Sequence, residues 1–115
     1  MRSILIVEDE PLIAMMLEDF LDSLGHRVQG TCDTVECALA EVEKGGFDLA
    51  ILDVNLKGEN VWPVGTKLRE KKVPFVIATG GHVDPPPPEF KNAPVIEKPY
   101  TVDRVTPAIE AAFAA

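Results

Sequence analysis

Several polar residues of this 115-residue sequence stand at or just past the ends of short apolar runs. Glu8 and Asp9 follow residues 4–7, Asp53 follows residues 49–52, Thr79 closes residues 73–79, and Lys98 follows residues 94–97. Carboxylates gathered at one place repel one another unless protons or a cation intervene, and hard oxygen donors of this kind suit Mg²⁺. With a metal in place, one carboxylate can act as a nucleophile towards phosphorus, while a lysine and a hydroxyl bind the phosphoryl oxygens that carry developing charge. Taken singly, such acids are frequently helix caps or solvated loop residues. Their order, each at the end of a separate apolar run, gives them weight as a phospho-acceptor set.

That set requires elements that bring the run ends together. Residues 3–7 form a short apolar run rich in β-branched side chains, and Pro11 suits the first turn of a helix. Leu12, Ile13, Met16, Leu17, Phe20, Leu21 and Leu24 then make one wide apolar stripe, closed by Gly25. Residues 27–32 alternate as an edge strand does, and Asp33 with Glu36 resembles a capping box for a second helix that buries Val35, Ala38, Leu39 and Val42 and stops at Gly45-Gly46. Residues 49–52 are apolar without alternation, as in a strand covered on both faces. A third helix is predicted over residues 60–72, a strand over 73–79 and a last short strand over 94–97.

Thr101 is a candidate N-cap for a closing helix with Val102, Val105, Ile109 and Phe113 inward. Pro107 either kinks that helix or sits in the first turn of a shorter one capped by Thr106. The alternation of strand and helix predicts an α/β domain with a parallel sheet and right-handed crossovers. In such sheets ligands bind outside the carboxyl ends of the strands, where Glu8, Asp9, Asp53, Thr79 and Lys98 would meet.

The formal net charge of −8 argues against nucleic acid and anionic membranes as partners, because such binding draws on Lys and Arg. The apolar start is too short for a signal-peptide core or a membrane span, so a cytoplasmic protein is expected. Cys32 and Cys37 have no zinc-ligand spacing to His26 or His82 and are read as packing residues, with a redox role as the lesser alternative.

The sequence resembles a known family, the receiver domain of bacterial two-component response regulators, over essentially its whole length. Residues 4–10 look like its acidic-pair motif and residues 48–56 like its phosphorylation strand. Residues 76–80 look like its switch-hydroxyl strand, and Glu97-Lys98-Pro99-Tyr100 like its Lys-Pro-aromatic motif. The resemblance implies a flavodoxin-like, doubly wound five-stranded parallel sheet in the order 2-1-3-4-5. It also implies that residues 1–115 form a single receiver domain with no output domain, of the stand-alone, chemotaxis-regulator-like kind.

By the same resemblance, Asp53 accepts the phosphoryl group, and Asp9, Asp53 and the backbone carbonyl of Asn55 hold Mg²⁺ with Glu8 assisting through water. Lys98 and Thr79 contact the phosphoryl oxygens, and the Lys98–Pro99 peptide is cis. The implied partners are a sensor histidine kinase or histidine phosphotransfer protein and a downstream protein target, with the chain a monomer or weak dimer. Such a protein is a signalling phospho-acceptor that catalyses only its own phosphorylation and dephosphorylation.

The chain departs from the family pattern at three places. Val95 occupies the usual aromatic position, leaving Tyr100 as a candidate reporter. The fourth helix is expected to be shortened or absent because the segment before Lys98 is short and holds the proline run at 85–88. Residues 74–82 are similar to a subgroup with a Phe-Ala-Thr-Gly-aromatic sequence, with Ile77 and Gly81 replacing its two aromatics. His82 is read as a loop histidine and Trp62 as a packing residue of helix three.

Two other functions compete with this reading. A Mg²⁺-dependent small-molecule phosphatase could use the same aspartate, but Asn55 stands where a general acid would be needed. A phosphorylation-independent interaction module would not require the intact acidic pair, Asp53, Thr79 and Lys98.

Overall fold

A computed structural model describes residues 2–56, 58–79, 90, 93–97 and 100–114. In chain order the elements are β1 (Ser3–Val7), α1 (Pro11–Ser23), β2 (Arg27–Cys32), α2 (Val35–Lys44), β3 (Leu49–Asp53), β4 (Asn55–Leu56), β5 (Glu59–Asn60), α3 (Trp62–Glu70), β6 (Phe75–Thr79), β7 (Val95–Glu97) and α4 (Val102–Ala114). Five strands form one sheet in the order β2-β1-β3-β6-β7, every neighbouring pair parallel. Counted without the β4–β5 hairpin, this is the expected order 2-1-3-4-5.

Period-two alternation divides the central strands between two cores. Leu5, Val7, Ala50, Leu52 and Ile77 face one side, against Ala38 and Val42 of α2 and Val64 and Leu68 of α3. Ile4, Ile6, Leu49, Ile51, Val76 and Ala78 face the other, against Leu17 and Leu21 of α1 and Val105 and Ile109 of α4. Helices on both faces explain why β1 and β3 read as continuous apolar runs.

Several local expectations change. The α1 stripe is narrower than its sequence suggests: Ala14, Leu17 and Leu21 are buried, while Leu12, Met15 and Met16 face solvent. The cap of α2 is Thr34 rather than Asp33, its hydroxyl accepting the Cys37 N–H at 3.0 Å. The third helix begins at Trp62, because Asn55 and Leu56 pair antiparallel with Asn60 and Glu59 as the hairpin β4–β5, with Gly58 at a φ of 86°. Thr101 does cap the last helix, accepting the Arg104 N–H at 3.3 Å, and α4 continues through Pro107 as one helix. Val102 is exposed rather than inward.

Phe90 is buried against α3, stacked on Trp62 with ring centroids 5.5 Å apart and edge-on to Phe75 at 5.7 Å. Gly65 leaves room for it, since a Cβ there would lie 3.2 Å from the Phe90 ring. Trp62 is thus a packing residue, as expected. Residues 80–89, with His82, the proline run and the stretch expected to lack a full fourth helix, lie outside the described residues, as do Lys98 and the Lys98–Pro99 peptide.

Candidate functional site: an acidic cluster at the carboxyl ends of the strands

β1, β3 and β6 run parallel, so the residues that end them share one edge of the sheet. Glu8 and Asp9 leave β1 there, Asp53 ends β3 and Thr79 ends β6. Carboxylate oxygens of Glu8, Asp9 and Asp53 lie within 4.8 Å of one another. Glu8 is 1% exposed and Asp53 7%, the buried acidic side chains among the described residues. Burying like charges this close is unfavourable, and a divalent ion with a preference for oxygen offsets the repulsion. These donors fit Mg²⁺.

Backbone hydrogen bonds fix the cluster. The Glu8 N–H donates to the Cys32 carbonyl at 2.9 Å, extending the β1–β2 ladder one residue past Val7. The Glu8 carboxylate in turn accepts the Glu10 N–H at 3.2 Å, which turns the chain into α1. On the other side, Asp53 is in register with Ala78, and the Val54 N–H donates to the Ala78 carbonyl at 3.1 Å. Thr79, one residue further, therefore stands at the same edge as Asp53. The Val61 N–H donates to the Val54 carbonyl at 3.0 Å, so the β4–β5 hairpin folds back on the residue that follows Asp53. Asn55 opens that hairpin.

Tyr100 belongs to the site's floor. It is 2% exposed and packs with Ile4, Ile6, Ala78 and Ile96. Burial, then the charges of Glu8 and Asp53, hold its phenol far above the usual range, so the hydroxyl is a neutral group within the field of the cluster. Val95, at the position where an aromatic was expected, is 51% exposed on the edge strand β7. Sequence reasoning brought Glu8, Asp9, Asp53 and Thr79 to one edge correctly. It missed the hairpin behind Asp53 and the part played by the Cys32 carbonyl, neither of which has a side-chain signature.

A doubly wound parallel sheet with buried acids at its carboxyl edge defines a class, and the chain belongs to the response regulator receiver domain family, whose model matches residues 4–110. Among solved structures it is similar to SdrG from Sphingomonas melonis Fr1, with 54% identity, coverage of 98% of this chain and 97% of that one, and a TM-score of 0.89. The BeF3-activated conformation of SdrG is similar too, at 55% identity, coverage of 95% and 93%, and a TM-score of 0.81. The transcriptional regulatory protein TcrA of Mycobacterium tuberculosis is 39% identical over 70 residues, covering 61% of this chain and 27% of TcrA. The phyllosphere-induced regulator PhyR of Methylorubrum extorquens is 37% identical over 79 residues, covering 66% of this chain and 30% of PhyR. The matched segment thus spans less than a third of either curated relative. Among the described residues no helix is long and apolar enough to cross a membrane.

Proposed function

We propose that Asp53 is the phospho-acceptor of a two-component phosphorelay. The observation that carries this reading is the convergence of the Glu8, Asp9 and Asp53 carboxylates within 4.8 Å at the carboxyl edge of the sheet. Asp9, Asp53 and the Asn55 carbonyl would hold Mg²⁺, with Glu8 assisting, and the bound ion would supply positive charge to offset the cluster and the charge that develops on the phosphoryl group. An Asp53 carboxylate oxygen attacks phosphorus of a phosphohistidine on a sensor kinase or phosphotransfer protein, and the histidine nitrogen leaves. The Thr79 hydroxyl and the Lys98 ammonium then bind the phosphoryl oxygens. The aspartyl phosphate shifts an equilibrium between two conformations and so changes which downstream protein the chain binds. The existence of a BeF3-activated form of the similar protein SdrG supports this reading.

Leu12, Met15 and Met16 are 76%, 59% and 45% exposed on the helix that begins just after the acidic pair. They offer the phosphodonor protein an apolar surface on the helix that follows Glu8 and Asp9. Incubation with Mg²⁺ and a small phosphodonor, followed by intact mass, tests the acceptor. One added phosphoryl group is expected in the natural chain and none in Asp53→Asn. Turnover of simple phosphate esters with no adduct would replace this reading by a phosphatase. Met15→Glu is expected to slow transfer from a phosphohistidine protein while leaving the small-donor reaction unchanged; equal slowing of both would remove α1 as the docking face.

A further inference from the structure

We propose that Cys32 and Cys37 form a modification site for small-molecule disulfides of the glutathione class, closing into a ring that ties the β2–α2 turn to the strand end beside Glu8. The structure joins the two sulfurs in a disulfide, with Cα atoms 5.6 Å apart, and leaves no free cysteine. Both also pack in the core on that side of the sheet, as expected of them, and the bond between them favours the redox alternative. Cys32 is the last residue of β2 and is 1% exposed, whereas Cys37 lies in the first turn of α2 and is only partly buried.

The ring spans a sequence separation of only 5 residues. Closing so short a loop removes somewhat less chain entropy than closing a long one. In a reducing compartment, such as the cytoplasm expected from the sequence, disulfides are mostly transient and redox-responsive.

The difference in burial assigns an order of events. The Cys37 thiolate, which solvent can reach, attacks one sulfur of the small-molecule disulfide; a mixed disulfide forms and one small thiolate leaves. The Cys32 thiolate, already within reach of the Cys37 sulfur, attacks that sulfur and expels the second small thiolate. In sum, two protein thiols and one small-molecule disulfide become one protein disulfide and two small thiols. Excess small thiol reverses both steps.

The main chain connects this site to the acidic cluster. Cys32 lies opposite Val7 in the β1–β2 ladder, and its carbonyl accepts the Glu8 N–H at 2.9 Å. Cys37 holds the other end of the turn, its N–H donating to the Thr34 hydroxyl that caps α2. Ring closure therefore restrains the Cys32 carbonyl that accepts the Glu8 N–H and the capping turn together.

The test follows the reduced full chain by intact mass after addition of glutathione disulfide. The expected course is a transient adduct of one glutathione, then a species lacking two hydrogen atoms relative to the reduced chain, restored by dithiothreitol. In Cys32→Ala the adduct on Cys37 should persist; in Cys37→Ala, labelling of Cys32 should be at least about 10-fold slower, as for an inaccessible thiol. Two thiols that survive intact, a persistent glutathione adduct on the natural chain, or equal labelling rates in the two variants would overturn the assignment. Because the natural chain alone must form the ring, the test stands even if a variant fails to fold. The Glu8 amide resonance should shift between reduced and oxidised chains without Mg²⁺ or phosphodonor, and an unmoved resonance with the ring formed would break the link to the cluster. None of these readouts depends on phosphorylation of Asp53.

Discussion

Aspartates bracket β3, and the strand treats them oppositely. Asp48, at its amino end, is exposed, and its carboxylate accepts the Ser3 N–H at 2.9 Å while its own N–H donates to the Ser3 carbonyl at 2.7 Å. The charge there meets a backbone donor and fastens the start of β1 to the start of β3. Asp53, at the carboxyl end, is 7% exposed and shares its space with two further carboxylates. One edge of the sheet uses acid to close the fold; the other concentrates acid at a cost that a cation or a phosphoryl transfer can turn to use. The same residue type at the two ends of one strand thus sits in opposite electrostatic surroundings.

The largest expected effect breaks this contrast at Asp53. At ten times its dissociation constant, Mg²⁺ should stabilise the natural chain by about 1.4 kcal/mol, from mass action at one site. Asp53→Asn should abolish most of that gain and, without Mg²⁺, raise stability by about 1 kcal/mol because one of three crowded charges is gone. Urea unfolding with and without Mg²⁺ measures both. Destabilisation of the metal-free variant would show that the cluster is not repulsive. Asp48→Ala should act the opposite way, lowering stability by roughly 0.5–1.5 kcal/mol through loss of a hydrogen bond to an ionised acceptor, with the Mg²⁺ gain unchanged. A reduced Mg²⁺ gain in Asp48→Ala would erase the distinction between the two ends.

The sequence made one side of this contrast legible and hid much of the other. Apolar runs reveal where buried strands stop, and a parallel sheet places those stops on one edge, so the sequence alone gathers Glu8, Asp9, Asp53 and Thr79. Four of the sheet strands follow from such runs, and β2 from its alternation. The two-residue strands β4 and β5 carry no period to detect, and of their residues only Asn60 falls within the helix expected over 60–72. On α1, side chains at adjacent positions share a broad apolar face, but the sheet covers only its centre, leaving Leu12 and Met16 outside. The pairing of Cys32 with Cys37 depends on how β2 turns into α2, a tertiary fact that spacing alone does not encode. Pro107 was ambiguous because propensity speaks against a proline inside a helix, whereas packing of Val105, Ala108, Ile109 and Ala112 against the sheet holds α4 together through it.

The smallest expected effect belongs to the amino edge, away from the acidic cluster. His26 lies between α1 and β2, and its pKa is lowered from 6.5, first by burial and then by neighbouring positive charge that includes Arg2. The folded chain therefore binds this proton less readily than the unfolded chain. Above the unfolded value both states carry a neutral imidazole and the residue adds no pH dependence. As pH falls below it, the unfolded state takes up the proton first, and stability declines until the folded imidazole protonates as well. His26→Gln should remove this component, flattening the fall in stability just below pH 6.5 while leaving stability near pH 8 little changed. Urea midpoints of the two chains across that interval supply the check. An identical slope in both chains would show that His26 does not carry this part of the acid sensitivity.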